Sequence, residues 1–186
     1  MSRIWITGYR SYELGIFTKN DLKLKIIKQI IKQKINQYEE NGLEWVISGG
    51  NLGIEQWTGE VVKEIQKENQ ETNIKNAVIL PFANFGKFWN DENKNSFLNL
   101  INSADFKISI SQSEYKSPIQ FKNYQNFMLN HTDKALMIYD SEHKGKSEYD
   151  LNRIMEYNKI NPQYDYEIID FYELQELADE LQYKEY

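Results

Sequence analysis

The chain has 186 residues, 40% of them hydrophobic and 14% aromatic, enough for one core of ordinary size, so a single domain over 1–186 is the default. It contains no cysteine, which excludes disulfides, thiolate-held zinc and a cysteine nucleophile and suits a reducing cytoplasm. A formal charge of -6 and a pI near 5.1 oppose a polyphosphate backbone, so nucleic acid is not an expected partner.

The opening "MSRIWITGYR" lacks the apolar h-region of a secretory leader. No apolar run approaches the roughly 18–20 residues of a membrane span, and a soluble, cytoplasmic protein is expected. Arg3 to Gly8 reads as a strand, followed by "TGYRSYELG". An arginine just past a strand end, Arg10, suits a phosphate or carboxylate, while the plain alternative pairs it with a local acid such as Glu13. Leu22, Ile26, Ile27, Ile30, Ile31 and Tyr38 then recur at helical spacing, with Gly42 as the stop.

Trp45 to Ser48 is the second strand, and it runs into "GGNLGIE". Gly49, Gly50 and Gly53 remove Cβ atoms where the backbone turns sharply and where a ligand could meet main-chain N–H groups. A helix starting near Gly53 or Ile54 aims its positive end at that space. Glu55 sits in its first turn, either satisfying the helix dipole, accepting ribose hydroxyls, or acting as general acid or base. The spacing G-G-x-x-G is not the dinucleotide fingerprint.

Ala77 to Phe82 is the third strand, stopped by Pro81. Its loop "PFANFGKFWND" crowds aromatic rings that form either a wall for a stacked base or a satellite core, with Phe82 and Phe88 assigned to the core and Trp89 left open. Phe106 to Ser111 is the fourth strand, after which Ser117-Pro118 fits a helix start and Ser117 a cap or ligand contact. Ala135 to Tyr139 is the fifth. Its loop ends in "GKS", but Asp140 stands where a P-loop needs its first glycine; Ser147 is read as a cap, with Gly145 and Lys146 as phosphate neighbours. Tyr166 to Phe171 is the sixth strand, and Leu174, Leu177 and Leu181 mark a last helix. His131 and His143 are isolated, so no metal site is expected.

Strand and helix alternate throughout, which calls for parallel strands joined by right-handed crossovers. The expected fold is α/β: a Rossmann-like, three-layer open sheet, mostly parallel, with helices on both faces. In such sheets ligands bind beyond the carboxyl ends of the strands, where strand order reverses.

"ITGYR" with "ELGIF", "EWVISGGNLGIEQW", "PFANFGKFW", "YKSPIQF" and "HTDKALMIYD" together resemble the YpsA family of the SLOG superfamily, which includes DprA and the LOG phosphoribohydrolases. The resemblance covers about Arg3 to Phe171. It implies a Rossmann-like domain that binds nucleotides or nucleotide-derived, ADP-ribose-like ligands, with relatives linked to control of cell division and with homo-oligomers common in the superfamily. It carries the glycine-rich turn onto Gly49, Gly50 and Gly53, the acidic position onto Glu55, and a Thr-Gly-x-Arg element onto Thr7, Gly8 and Arg10. "SGGNLGIE" is similar in spacing to the S-G-x-x-x-G-I-D turn of DprA, whereas LOG enzymes carry P-G-G-x-G-T-x-x-E, with proline where Ser48 stands.

The first functional expectation is a non-enzymatic protein that binds a nucleotide-derived ligand and passes its presence to division or stress machinery. Gly49, Gly50, Gly53 and Arg10 would hold phosphate, Glu55 a ribose, and Trp89 or Tyr9 a base. Thr7, Gly8, Ser48, Ser117 and Gly145 complete the expected lining. An N-glycosidic hydrolase with Glu55 assisting departure of the base, and a sponge for a nucleotide signal, stay open beside it, as does a DprA-like role on single-stranded DNA. No further cofactor is expected.

Overall fold

The computed structural model describes residues 2–184. Six strands alternate with six helices: β1 (Ser2–Gly8), α1 (Leu22–Glu39), β2 (Leu43–Ser48), α2 (Ile54–Glu68), β3 (Lys75–Phe82), α3 (Asp91–Ser103), β4 (Phe106–Ser111), α4 (Ile119–His131), β5 (Lys134–Ile138), α5 (Glu148–Ile160), β6 (Asp165–Ile169) and α6 (Phe171–Lys184). A 3-10 turn, Ser11–Leu14, follows β1.

The strands form one sheet in the order β4-β3-β2-β1-β5-β6, and all five pairings are parallel. A parallel sheet covered on both faces needs strands apolar on both sides. In β1, Ile4, Trp5, Ile6 and Thr7 are all fully buried, and β5 buries Ala135 to Ile138 in the same way. Right-handed crossovers that step from β1 out to β4 put α1, α2 and α3 on one face, where α6 joins them beside α1. The connection from β4 back to β5 reverses the direction, and α4 and α5 therefore share the opposite face. Strand order thus reverses at the β1/β5 junction.

Several boundaries and faces differ from the sequence reading. Pro81 lies inside β3, not at its end. The β2 ladder reaches only Val78, so the missing N–H of Pro81 interrupts no bond on that side. Phe171 opens α6 and does not close β6. In α1 the buried stripe is Leu24, Ile27, Ile30, Ile31 and Ile35, while Leu22 is exposed beside the Asp21 cap. In α5 the helical spacing of Tyr149, Leu151, Ile154 and Met155 predicts one apolar face, but only Leu151 and Ile154 are buried, while Tyr149 and Met155 face outward. Gly42 has φ +85, as a helix stop requires. Among the described residues no helix is long and apolar enough to cross a membrane.

Candidate functional site

The glycines of the turn after β2 are packed against protein, while Asn51 between them is half-buried. Glu55, in the first turn of α2, is 1% exposed. Its Oε1 accepts from the Thr7 hydroxyl at 2.9 Å, and its Oε2 accepts from the Asn51 main-chain N–H at 2.8 Å and from Asn51 Nδ2 at 2.9 Å. Arg10 Nη1 stands 3.8 Å from Oε1 and donates to the Gly8 carbonyl at 3.3 Å. A buried carboxylate with this many donors is a pin: it ties α2, the β2–α2 turn and β1 together.

The three glycines make room for that pin. A Cβ on Gly49 would stand 2.3 Å from Glu55 Oε2 and 2.6 Å from the Tyr124 hydroxyl. One on Gly50 would meet Leu80 and Phe97 at 2.7 Å. Gly53, the residue before α2, has φ +104, and a Cβ there would stand 2.4 Å from the Tyr9 carbonyl oxygen. What approaches these Cβ-less positions is the protein's own chain.

A second carboxylate reaches the site from the other face of the sheet. Asp150, in the first turn of α5, is 8% exposed; Gln125 Nε2 donates to its Oδ1 at 2.7 Å, and its Oδ2 lies 3.3 Å from the Thr7 hydroxyl oxygen. A threonine hydroxyl has one proton to donate. The shorter contact assigns it to Glu55, so the Asp150 contact becomes a hydrogen bond when Asp150 itself carries a proton and donates to Thr7. Burial, and then the negative charge of Glu55, push the Asp150 carboxyl from its ordinary 3.8 up to about 6. Burial and the same two carboxylates push the Tyr124 phenol well above its ordinary value, against the opposing pull of Arg10 and the Trp5 indole.

Asp150 opens onto a cleft of about 880 Å³ between α4 and α5, outside the carboxyl end of β1. Arg10, Lys122, Lys146 and Arg153 bring positive charge to it, Gln125 and Asp150 hydrogen-bonding groups, and Pro118, Ile119 and Phe121 apolar surface. Arg153 is partly committed, donating to Asn126 Oδ1 at 2.6 Å and to Glu156 at 3.1 Å. This combination can hold an anion at the cationic side and hydroxyls at the carboxyl side.

The remaining expected residues are distributed around the cleft. Tyr9 is a correction: it is 2% exposed, stacked on Tyr139 and Phe171, and its hydroxyl donates to the His143 carbonyl at 2.5 Å and accepts from the Asp140 main-chain N–H at 3.0 Å. Burial pushes that phenol up to about 12, and no ring face is left for a base. Glu13 does not pair with the Arg10 guanidinium; it accepts from the main-chain N–H groups of Arg10 at 2.7 Å and Lys146 at 2.8 Å, joining the β1 and β5 loops. Gly145 is packed against that carboxylate, where a Cβ would stand 2.8 Å from Glu13 Oε1. Gly8 lies against the Ile138 carbonyl oxygen, at the strand junction itself.

Ser147 precedes α5 but makes no cap bond with its side chain, and its hydroxyl, like that of Ser48, is buried without a partner among the described residues. Ser117 is half-buried before α4, where Gln120 Oε1 takes the N–H groups of Lys116 at 2.6 Å and Ser117 at 3.1 Å. Phe82 is buried as expected, but Phe88 is 91% exposed, so its assignment to a satellite core is corrected. Trp89 packs edge-on to Phe85 and Phe97 and lines a separate, smaller cleft. Asp150, Gln125 and Tyr124 were not picked out by sequence reasoning; only the adjacency of β1 and β5 brings α4 and α5 to Thr7. Among the described residues no group of three or more histidine or acidic side chains could hold a metal ion.

A family model described as the YspA SLOG family (YpsA) matches residues 4–174. The UPF0398 protein of Ligilactobacillus salivarius (strain UCC118) is 48% identical over 182 residues, covering 98% of both chains. Those of Lactobacillus acidophilus and Lactobacillus helveticus are 46% and 48% identical over 183 residues, covering 98% of this chain and 96% and 95% of theirs.

Proposed function

The chain belongs to the YspA SLOG family, and from that membership and the cleft at the β1/β5 junction we propose that it binds a nucleotide-derived small molecule. The phosphate lies toward Arg10, Lys122 and Lys146, and the ribose hydroxyls face Asp150 and Gln125. One observation carries the reading: the cleft of about 880 Å³ stands where strand order reverses, with four cationic side chains and the carboxyls of Asp150 and Glu156 on its wall. Glu55 serves this site from behind, holding Thr7 and Asn51, and not as a ligand contact. Binding without turnover is the primary role, and occupancy of the cleft is the signal available to regulatory machinery such as that of division or stress.

Titration calorimetry with ADP-ribose, AMP and ribose 5-phosphate tests this. Binding that weakens roughly three- to tenfold in Lys122→Ala and Lys146→Ala, as lost charge-assisted contacts should cause, is the expected result. Absence of binding by all three compounds, or affinity unchanged in both variants, would overturn it.

The carboxyl at Asp150 favours a second reading, N-glycosidic hydrolysis. An acid whose pKa burial raises to about 6, placed beside a ribose, is suited to protonate a departing base. If AMP incubated with the protein releases no adenine above an Asp150→Asn control, that reading is finished.

A further inference from the structure

The ribose-phosphate cleft does not end at its apolar side. Phe121, which lines it, also lines a second cleft of about 280 Å³ whose other walls include Phe82, Tyr115, Phe88 and Trp89. We propose that this second cleft is a subsite for an amino-bearing nucleobase, adenine in kind, joined across Phe121 to the ribose phosphate in the first.

Three features of the second cleft support that occupant. Its floor is aromatic and fixed: Phe82 is buried and stands edge-on to Phe121 at 5.5 Å and to Phe85 at 5.4 Å. Its rim carries rings that folding leaves in water, Phe88 at 91% and Tyr115 at 48% exposed. A base stacked against them would cover apolar surface the fold itself does not bury.

The third feature is polar and bears on which base. Asn51 lines this cleft, and both its main-chain N–H and its Nδ2 donate to Glu55 Oε2. A buried carboxylate accepts and cannot donate, so Glu55 fixes the orientation of the amide. Asn51 keeps its amide oxygen and its second Nδ2–H, an acceptor and a donor side by side, which match the amine and ring nitrogen of adenine's N6/N7 edge and not the two acceptors of the corresponding hypoxanthine edge. Glu55 thereby serves both clefts, through Thr7 toward Asp150 and through Asn51 toward the base.

This proposal rests on the reading of the first cleft, and the experiment separates the two. Ribose 5-phosphate, AMP and IMP are titrated into the wild-type protein and into the double variant Phe88→Ala/Tyr115→Ala, both substitutions being at exposed rings. The wild type is expected to bind AMP about tenfold or more tighter than ribose 5-phosphate, and AMP tighter than IMP. In the double variant, affinity for AMP falls to about that for ribose 5-phosphate, which is itself unchanged. Equal affinity for AMP and ribose 5-phosphate in the wild type, or an advantage of AMP that survives the double substitution, overturns the subsite and leaves the first cleft standing. Failure of ribose 5-phosphate and both nucleotides to bind overturns both.

Discussion

The turn after β2 and the cleft between α4 and α5 make opposite impressions in sequence and in structure. The turn, with three glycines before a helix, has the look of a phosphate loop, yet each missing Cβ is accounted for by protein: Glu55 and Tyr124 at Gly49, Leu80 and Phe97 at Gly50, the β1 loop at Gly53. The cleft leaves little trace in the sequence, and it is open, cation-lined and placed at the strand-order reversal. A glycine records that something comes close, not that the neighbour is a ligand. Space for a ligand here lies between two helices of the opposite face, α4 and α5.

If the turn is a structural pin, substitutions there should appear as lost stability before they appear as lost binding. Glu55→Ala has the largest expected effect, because it strands the Thr7 hydroxyl, two Asn51 donors and the Arg10 guanidinium. A loss of about 3–5 kcal/mol in urea denaturation is expected, the range for breaking a buried charged network. A loss below about 1 kcal/mol would mean that Glu55 is free to serve a ligand. Gly53→Ala should follow closely, at about 2–4 kcal/mol, since φ +104 disfavours any side chain and the Tyr9 carbonyl blocks the Cβ.

The cleft should behave in the opposite sense, with function bought at the expense of stability. Asp150 has a folded-state pKa raised to about 6, so the folded protein holds its proton more tightly than the unfolded chain. As pH rises from about 4 through about 6, charging Asp150 in place costs stability, and the cost is complete above that window. Asp150→Asn keeps the shape and can donate to Thr7 without charge. It should therefore stabilise the protein by on the order of 3 kcal/mol at pH 8 and leave it nearly unchanged at pH 4, read from thermal melts across pH. Equal melting shifts at both pH values would contradict the charged pair. The smallest effect is expected at Lys122, which is exposed on the cleft wall: Lys122→Ala should shift stability by less than about 0.5 kcal/mol while weakening a phosphate-bearing ligand.

The division between the two regions also explains how much could be read in advance. Continuous apolar runs such as Ile4–Trp5–Ile6 announce strands buried on both faces, and the alternation of elements dictates parallel pairing, so the sheet and its helices were legible. The helix stop at Gly42 and the start of α2 were local and equally legible. Tyr9, Phe88 and Asp150 were not. Whether an aromatic ring beyond a strand end is buried, as Tyr9 is, or exposed, as Phe88 is, depends on neighbours from distant elements. Asp150 meets Thr7 across 143 residues of sequence, through a strand order that no local pattern encodes.

The most direct test of the central claim is a crystal structure with ADP-ribose bound. The phosphates should lie between Arg10 and Lys146, with ribose hydroxyls at Asp150 and Gln125 and the glycine turn unchanged. Phosphates seated on the main-chain N–H groups of Gly49 to Gly53 would contradict the account.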